Sequence, residues 1–320
     1  MTDDELTRPY GRLNARLLRL GDSERAHRLV TQTPAARDVA RRFIAAEDVD
    51  EALDLVRRDQ AKGLMATLEP LLPVARDREQ AAIARRTHLE MVRALGAAGL
   101  GPLAEVRVKL STLGQRIGRD GAALSTTHLA EVCAAARNAG TQVSLDLEEH
   151  STTDATFAAF TALHQDFPWL GVTVQSQLRR SLADSRWLAT MPARVRLCKG
   201  GYTAPRRVSV DNQEGVDANF VACMDLLMAG KGYPMIATHD PRLVSIADEQ
   251  ARAHGRSLDG YEFQMYYGVR PWEHRRLVDT GHRVRVHLPV GRDWYGYLVR
   301  RVAERPANVM PLLRALVTRR

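Results

Sequence analysis

The sequence predicts an α/β protein of the (β/α)8 barrel type carrying an N-terminal helical arm, and three observations point there. Eight short β-type runs recur between residues 63 and 288. Each interval between them has room for one helix, which is the rhythm of a barrel built from β-α units. No Gly-x-Gly-x-x-Gly follows any run, as a doubly wound dinucleotide fold would ask.

The elements follow in order. Residues 1–60 alternate polar and apolar groups at helical spacing, as in Leu13, Leu17, Leu18 and then Val39, Phe43, Ile44, and form the predicted arm. Residues 61–320 form the predicted barrel domain. Its β-type runs are 63–68, 106–110, 143–147, 172–175, 195–199, 235–239, 263–267 and 283–288. Helices are expected between them, for example over 86–95, 127–138 and 217–228. After the last run, Tyr297, Arg300, Arg301 and Glu304 stand at i, i+3, i+4 and i+7, which stacks them on one helical face. Paired guanidiniums with an aromatic wall beside them form the outline of a carboxylate receptor; the plain alternative is a solvated, arginine-rich face.

Composition narrows the function. The chain of 320 residues is 45% hydrophobic and 26% charged, as folded globular proteins are. A net charge of +8 would suit nucleic acid. The positive residues are nevertheless spread among acids, with no zinc-finger spacing, RNA-binding aromatic motif or basic arm, so no nucleic-acid partner is expected. Cys133, Cys198 and Cys223 have no metal-ligand spacing, so no metal is expected and a reduced, cytoplasmic setting is. The opening residues are acidic and resemble no signal peptide. No apolar run is long enough to span a membrane. Residues 309–320 are apolar on one face and basic at the end, which allows peripheral contact with the inner face of a membrane or packing on the protein itself.

In a barrel, chemistry sits at the C-terminal ends of the strands. The polar residues expected there are Lys109, Asp146, Gln175, Arg196, Lys199, Thr238, His239 and His287. Of 46 basic residues only four are lysine, and two of those four, Lys109 and Lys199, fall late in strand-like runs. The set has no Ser-His-Asp or Cys-His arrangement and is rich in cations, which favours an anionic ligand or a phosphorylated cofactor. A Schiff-base aldolase or lyase using Lys109 or Lys199 is the rival from another reaction class. A nonenzymatic binding module would leave the paired arginines without a use.

Seven blocks, in order over residues 60–310, resemble the proline dehydrogenase family. They are Val108-Lys109-Leu110-Ser111, Leu145-Asp146-Leu147-Glu148, Val174-Gln175, residues 195–202, Ala237-Thr238-His239-Asp240, Glu262-Phe263-Gln264-Met265 and residues 297–308. The Arg-Leu-x-Lys-Gly-x-Tyr run from Arg196 to Tyr202 and the Tyr-x-x-Arg-Arg-x-x-Glu helix are the most specific. The resemblance implies noncovalent FAD, oxidation of L-proline to Δ1-pyrroline-5-carboxylate, and electrons passed to a membrane quinone. It implies that Arg300 and Arg301, helped by Lys109, clamp the substrate carboxylate, and that Asp146 and Glu304 hold those cations. Tyr202 and Tyr297 would wall the ring. Arg196 would approach flavin N5, Cys198, Lys199, Gly200 and Gly201 would run along the cofactor, and Gln175, Thr238 and His239 would hydrogen-bond it.

The chain departs from the family's pattern at several of these positions. His287 stands where a tyrosine covers the ring, Tyr266 replaces a leucine, Gly201 an alanine and Asp240 an asparagine. A pocket altered at Tyr266 and His287 suits either L-proline or a hydroxylated or otherwise modified ring.

Overall fold

A computed structural model describes residues 43–295 and Tyr297. Residues 1–42 of the predicted arm, Arg300, Arg301, Glu304 and the basic tail lie outside the described residues.

Eight parallel strands close into a barrel in sequence order. They are β1 (Met65–Pro70), β2 (Ala104–Val108), β3 (Gln142–Leu145), β4 (Gly171–Gln175), β5 (Arg194–Cys198), β6 (Tyr233–Ala237), β7 (Glu262–Tyr266) and β8 (Val284–Val290). Helix α1 (Val49–Gln60) precedes β1, and α2 (Arg78–Ala97), α3 (Gly121–Ala139), α4 (Thr153–His164), α5 (Ser181–Leu188), α6 (Gln213–Ala229), α7 (Pro241–Ala253) and α8 (Pro271–Asp279) follow β1 to β7 in turn. Side-chain caps set several starts: Asp48 accepts from Glu51 N at 3.1 Å, Asp77 from Gln80 N at 2.8 Å and Asn212 from Gly215 N at 2.7 Å. These caps lie outside the apolar periodicity, which is why α2 and α6 begin eight and four residues before the expected helices; α3 also begins early, at Gly121, without a side-chain cap.

Six of the eight strands start earlier than their apolar runs, and the reason is the polarity of the lumen. Alternation turns Val106, Val108, Val143, Leu145, Val195, Leu197, Phe263, Val286 and Leu288 outward, where they are buried under the helices. The alternate residues face inward and are polar. Arg194 on β5 donates to Glu105 on β2 at 2.8 Å, and Arg196 on β5 donates to Gln264 on β7 at 2.9 Å. Strands that are not neighbours can meet in this way only through the lumen. Barrel interiors are usually filled by branched aliphatic residues; here the filling is a hydrogen-bonded charge network.

The lower end of that network is tightly satisfied. Glu105 also accepts from Thr67 and Ser144, both at 2.8 Å. Glu262 accepts from Arg285 at 2.7 and 3.0 Å and from Gln264 at 2.7 Å. Burial works to raise the Glu105 carboxyl, but the charges of Arg194 and Arg285 and the bonds from Arg194 and Thr67 hold it well below the usual carboxylate range. The closing seam between β8 and β1 is cross-linked from inside, where Arg285 donates to Ala66 O at 2.9 Å and His287 bonds Glu69. Outside that seam, α1 packs against β1 and β8.

Two predictions arise from the lumen. Glu105→Ala strands a buried guanidinium and should cost about 3–5 kcal/mol in denaturant unfolding, whereas Asp54→Ala, which removes an exposed pair with Arg57, should cost no more than about 1 kcal/mol; equal costs would contradict the buried network. Burial, followed by the charge of Arg107, lowers His287 to about 4, against the pull of Glu69. Its unfolded value is about 6.5, so its contribution is complete above that pH, falls as pH drops towards the folded value and levels off below it. His287→Phe should flatten the pH dependence of unfolding free energy in that window by up to about 3 kcal/mol; an unchanged slope would show that His287 is not held neutral.

Candidate functional site

The upper end of the lumen is where strand-borne polar residues meet the loops. Glu69, at the end of β1, accepts from Lys109 through one oxygen and from His287 Nε2 through the other. Burial opposes its charge, but Lys109 and His287 hold its carboxyl well below the ordinary range. The sequence reading ended the first strand at Leu68 and missed Glu69. The signal was the alternation Thr67, Glu69 opposite apolar Ala66, Leu68, which marks a polar inner face.

Lys109 therefore pairs with Glu69. Asp146 instead lies 3.9 Å from Arg196 and accepts from Thr173 at 3.4 Å. Arg196 is buried and shares the Gln264 oxygen with Arg107, whose Nη2 lies 3.4 Å away. Arg107 and Gln264 were not among the expected site residues. The sequence had presented Arg107 as one arginine among many, and only the cross-barrel contact distinguishes it.

Gln175, buried at the end of β4, donates to Leu147 O and to Glu148 O, the latter at 3.0 Å, and its oxygen accepts from Gln177 at 3.1 Å. Both amide hydrogens are thus used inside the protein, so toward a ligand Gln175 offers an acceptor. Glu148 accepts from the Ser111 hydroxyl at 2.7 Å and its backbone N at 3.1 Å, and burial pushes its carboxyl up.

The run after β5 is built on Gln177. Its backbone N donates to Lys199 O at 2.9 Å and its side chain to Tyr202 O at 2.8 Å. Gly200 has φ +99°, and a Cβ there would come within 2.5 Å of the Gln177 side chain, so both conformation and space require glycine. Gly201 and Tyr202 continue this half-buried run. Cys198 lies 3.6 Å from Val174 O, and burial raises its thiol. Lys199 is held by Asp217 at 2.6 Å and Asp240 at 3.4 Å, and Arg242 completes a charge-balanced quartet with both aspartates. Lys109 and Lys199 both sit in ion pairs, unlike the isolated amine in an apolar pocket that activates a Schiff-base lysine.

On the opposite side, Thr238 accepts from Asp240 N at 3.1 Å. His239 Nε2 accepts from Tyr266 N at 2.8 Å, which puts the neutral ring's hydrogen on Nδ1, and its ring stacks on Tyr266 at 5.5 Å. Tyr266 also meets His287 edge to face, with centroids 5.0 Å apart. Tyr297 is buried in a cluster with Ile44, Trp294 and Tyr295, with Phe43 and Leu71 packed on it. Leu71 follows the C-terminal end of β1, so Trp294, Tyr295 and Tyr297 lie at the mouth. Among the described residues, no group of three or more His, Cys, Asp or Glu is arranged to hold a metal.

Comparison with known proteins supplies the family. The family model described as proline dehydrogenase matches residues 52–312. Proline dehydrogenase 1 of Bacillus subtilis strain 168 is 30% identical over 278 residues, covering 87% of this chain and 90% of that protein. A Deinococcus radiodurans proline dehydrogenase is 33% identical over 273 residues, covering 85% and 87%. Proline utilization A from Bdellovibrio bacteriovorus, solved after inactivation by N-propargylglycine, superposes with a TM-score of 0.80 at 23% identity; the match covers 92% of this chain and 37% of that one, and it speaks for the fold. With the barrel, the ordered strand-end residues and a match over most of its length, the chain belongs to the proline dehydrogenase family.

Proposed function

We propose that the protein oxidises L-proline to Δ1-pyrroline-5-carboxylate with noncovalent FAD and passes the electrons to a quinone. The observation that carries this reading is the cationic mouth. In the upper lumen Arg107, Arg196 and Lys109 stand with Glu69 and Asp146, Arg196 meets Asp146 only at 3.9 Å, and Arg107 has no ion pair among the described residues. Such a site favours a ligand that brings or acquires negative charge.

The residues present fit a flavin. Its ring system carries one N–H donor and several acceptors, and the site offers Gln175 as an acceptor and Arg196 as a cation. Arg107 Nε has no hydrogen-bond partner among the described residues. Cys198, Lys199, Gly200 and Gly201 would line the cofactor, with Thr238 and His239 on the facing strand end. Bound FAD would supply the hydride acceptor.

The chain's own part is orientation. Lys109, with Arg300 and Arg301, would clamp the carboxylate, while Asp146 and Glu304 hold those cations in place. Tyr202, Tyr266, His287 and Tyr297 would enclose the ring, fixing the carbon beside the nitrogen for transfer. A quinone acceptor places the enzyme at the inner face of a membrane as a peripheral protein. Among the described residues no helix is long and apolar enough to cross one.

Two measurements test this reading. Purified protein supplied with FAD should turn yellow and bleach anaerobically with L-proline; a colourless protein that traps a carbonyl substrate under borohydride would favour the lysine-based rival. Arg301→Met removes charge-assisted bonds of about 1.5–3 kcal/mol each, which should raise KM for L-proline roughly 10- to 100-fold with bound flavin retained. Loss of flavin in proportion to activity would remove Arg301 from the substrate clamp.

A further inference from the structure

Two buried polar atoms in the upper lumen have no hydrogen-bond partner among the described residues. The first is His287 Nδ1. Ionised Glu69 can only accept, so the Nε2 that bonds it carries the ring hydrogen, and in the neutral ring Nδ1 is a bare lone pair. It is buried, and no donor among the described residues reaches it. The second is Arg107 Nε. Arg107 is 2% exposed, its one side-chain hydrogen bond is the 3.4 Å contact with Gln264, and no carboxylate among the described residues lies within ion-pair distance.

The two belong to one cluster. Arg107 reaches Gln264 on β7, and Tyr266, two residues on along the same face, places its ring against His287. Glu69, on the strand between β8 and β2, bonds His287 and is further stabilised as an anion by the charge of Arg107. Leaving a buried donor or acceptor unpaired costs about 1–3 kcal/mol each. A ligand group that donates and accepts at once answers both, and a hydroxyl does so: its hydrogen goes to the histidine lone pair, and its oxygen accepts from the guanidinium. The ring carbons of unsubstituted proline offer neither.

We propose that Tyr266, His287 and Arg107 form a hydroxyl-recognising wall, and that the preferred substrate is a ring-hydroxylated proline bonded through its hydroxyl to His287 Nδ1 and the Arg107 guanidinium. This rests on the flavin-dependent reading above. The carbon beside the ring nitrogen loses a hydride to FAD, the nitrogen loses its proton to solvent, a C=N bond forms and the hydroxyl is retained.

The test uses the full-length chain loaded with FAD. Specificity constants are measured for L-proline and for its 3- and 4-hydroxylated isomers. Independently of turnover, tetrahydrofuran-2-carboxylate with and without a ring hydroxyl is titrated by its perturbation of the flavin spectrum. At least one hydroxylated ring should exceed L-proline about tenfold or more in kcat/KM, and the hydroxylated ether should bind tighter by a similar factor, since one satisfied buried hydrogen bond corresponds to about that ratio. His287→Phe should collapse both ratios. A smaller preference in the native chain, a preference for L-proline, or ratios unmoved in a flavin-loaded His287→Phe variant overturns the proposal. Should that variant fail to hold FAD, the ether pair on the native chain decides. A native chain that takes up no FAD, or is bleached by no cyclic amino acid, defeats the underlying reading instead.

Discussion

The pairing of Arg194 with Glu105 through the centre of the barrel is the constraint from which much else follows. A lumen filled with aliphatic side chains needs only volume, whereas one filled with charges needs every partner at hydrogen-bond distance at the same time. Desolvating these ions is expensive, so the network's consequence is a particular closed register more than stability for its own sake. Glu105 on β2 must meet Thr67 of β1, Ser144 of β3 and Arg194 of β5 together. A one-residue slip of any of those strands would turn its polar residue into the apolar layer under the helices.

The same network grades into the site without a boundary. Near the lower end each carboxylate is matched: Glu105 by Arg194, and Glu262 by Arg285. Higher up the matching loosens. Arg196 meets Asp146 only at 3.9 Å, and Arg107 has no ion pair among the described residues. Buried positive charge left incompletely compensated is costly to the free protein, and a bound anion or polar ring relieves it. The lumen's own electrostatics thus account for an affinity that no isolated surface arginine would have.

The barrel was legible in the sequence because the outer faces of its strands are apolar: Val106 and Val108, Val143 and Leu145, Val195 and Leu197 each marked a strand. The inner faces were hard to read because alternation with arginine and glutamate makes a strand look half exposed, so Glu105 and Arg194 fell outside the expected strands. Glu69 was lost for the same reason. Residues carried by a recognisable run, such as Lys109, Gln175 and Arg196, were found from that run. Arg107 acts through Gln264, 157 residues away, Gln177 through Tyr202, 25 away, and Gln264 through Arg196, 68 away, and a distance along the chain of that size leaves no local pattern.

How the seam between β8 and β1 is covered decides where the residues just after β8 can go. In a repeating β-α barrel the helix after the eighth strand would ordinarily fold down and cover that seam. Here α1 packs on β1 and β8, so the seam is covered from the N-terminal side. Ala46 bridges Val290, and Gly291 N donates to Ala46 O at 2.9 Å, which ties the entrance of α1 to the exit of β8. The segment after β8 is thereby released from covering the barrel wall, and Trp294, Tyr295 and Tyr297 pack against Ile44 at the rim.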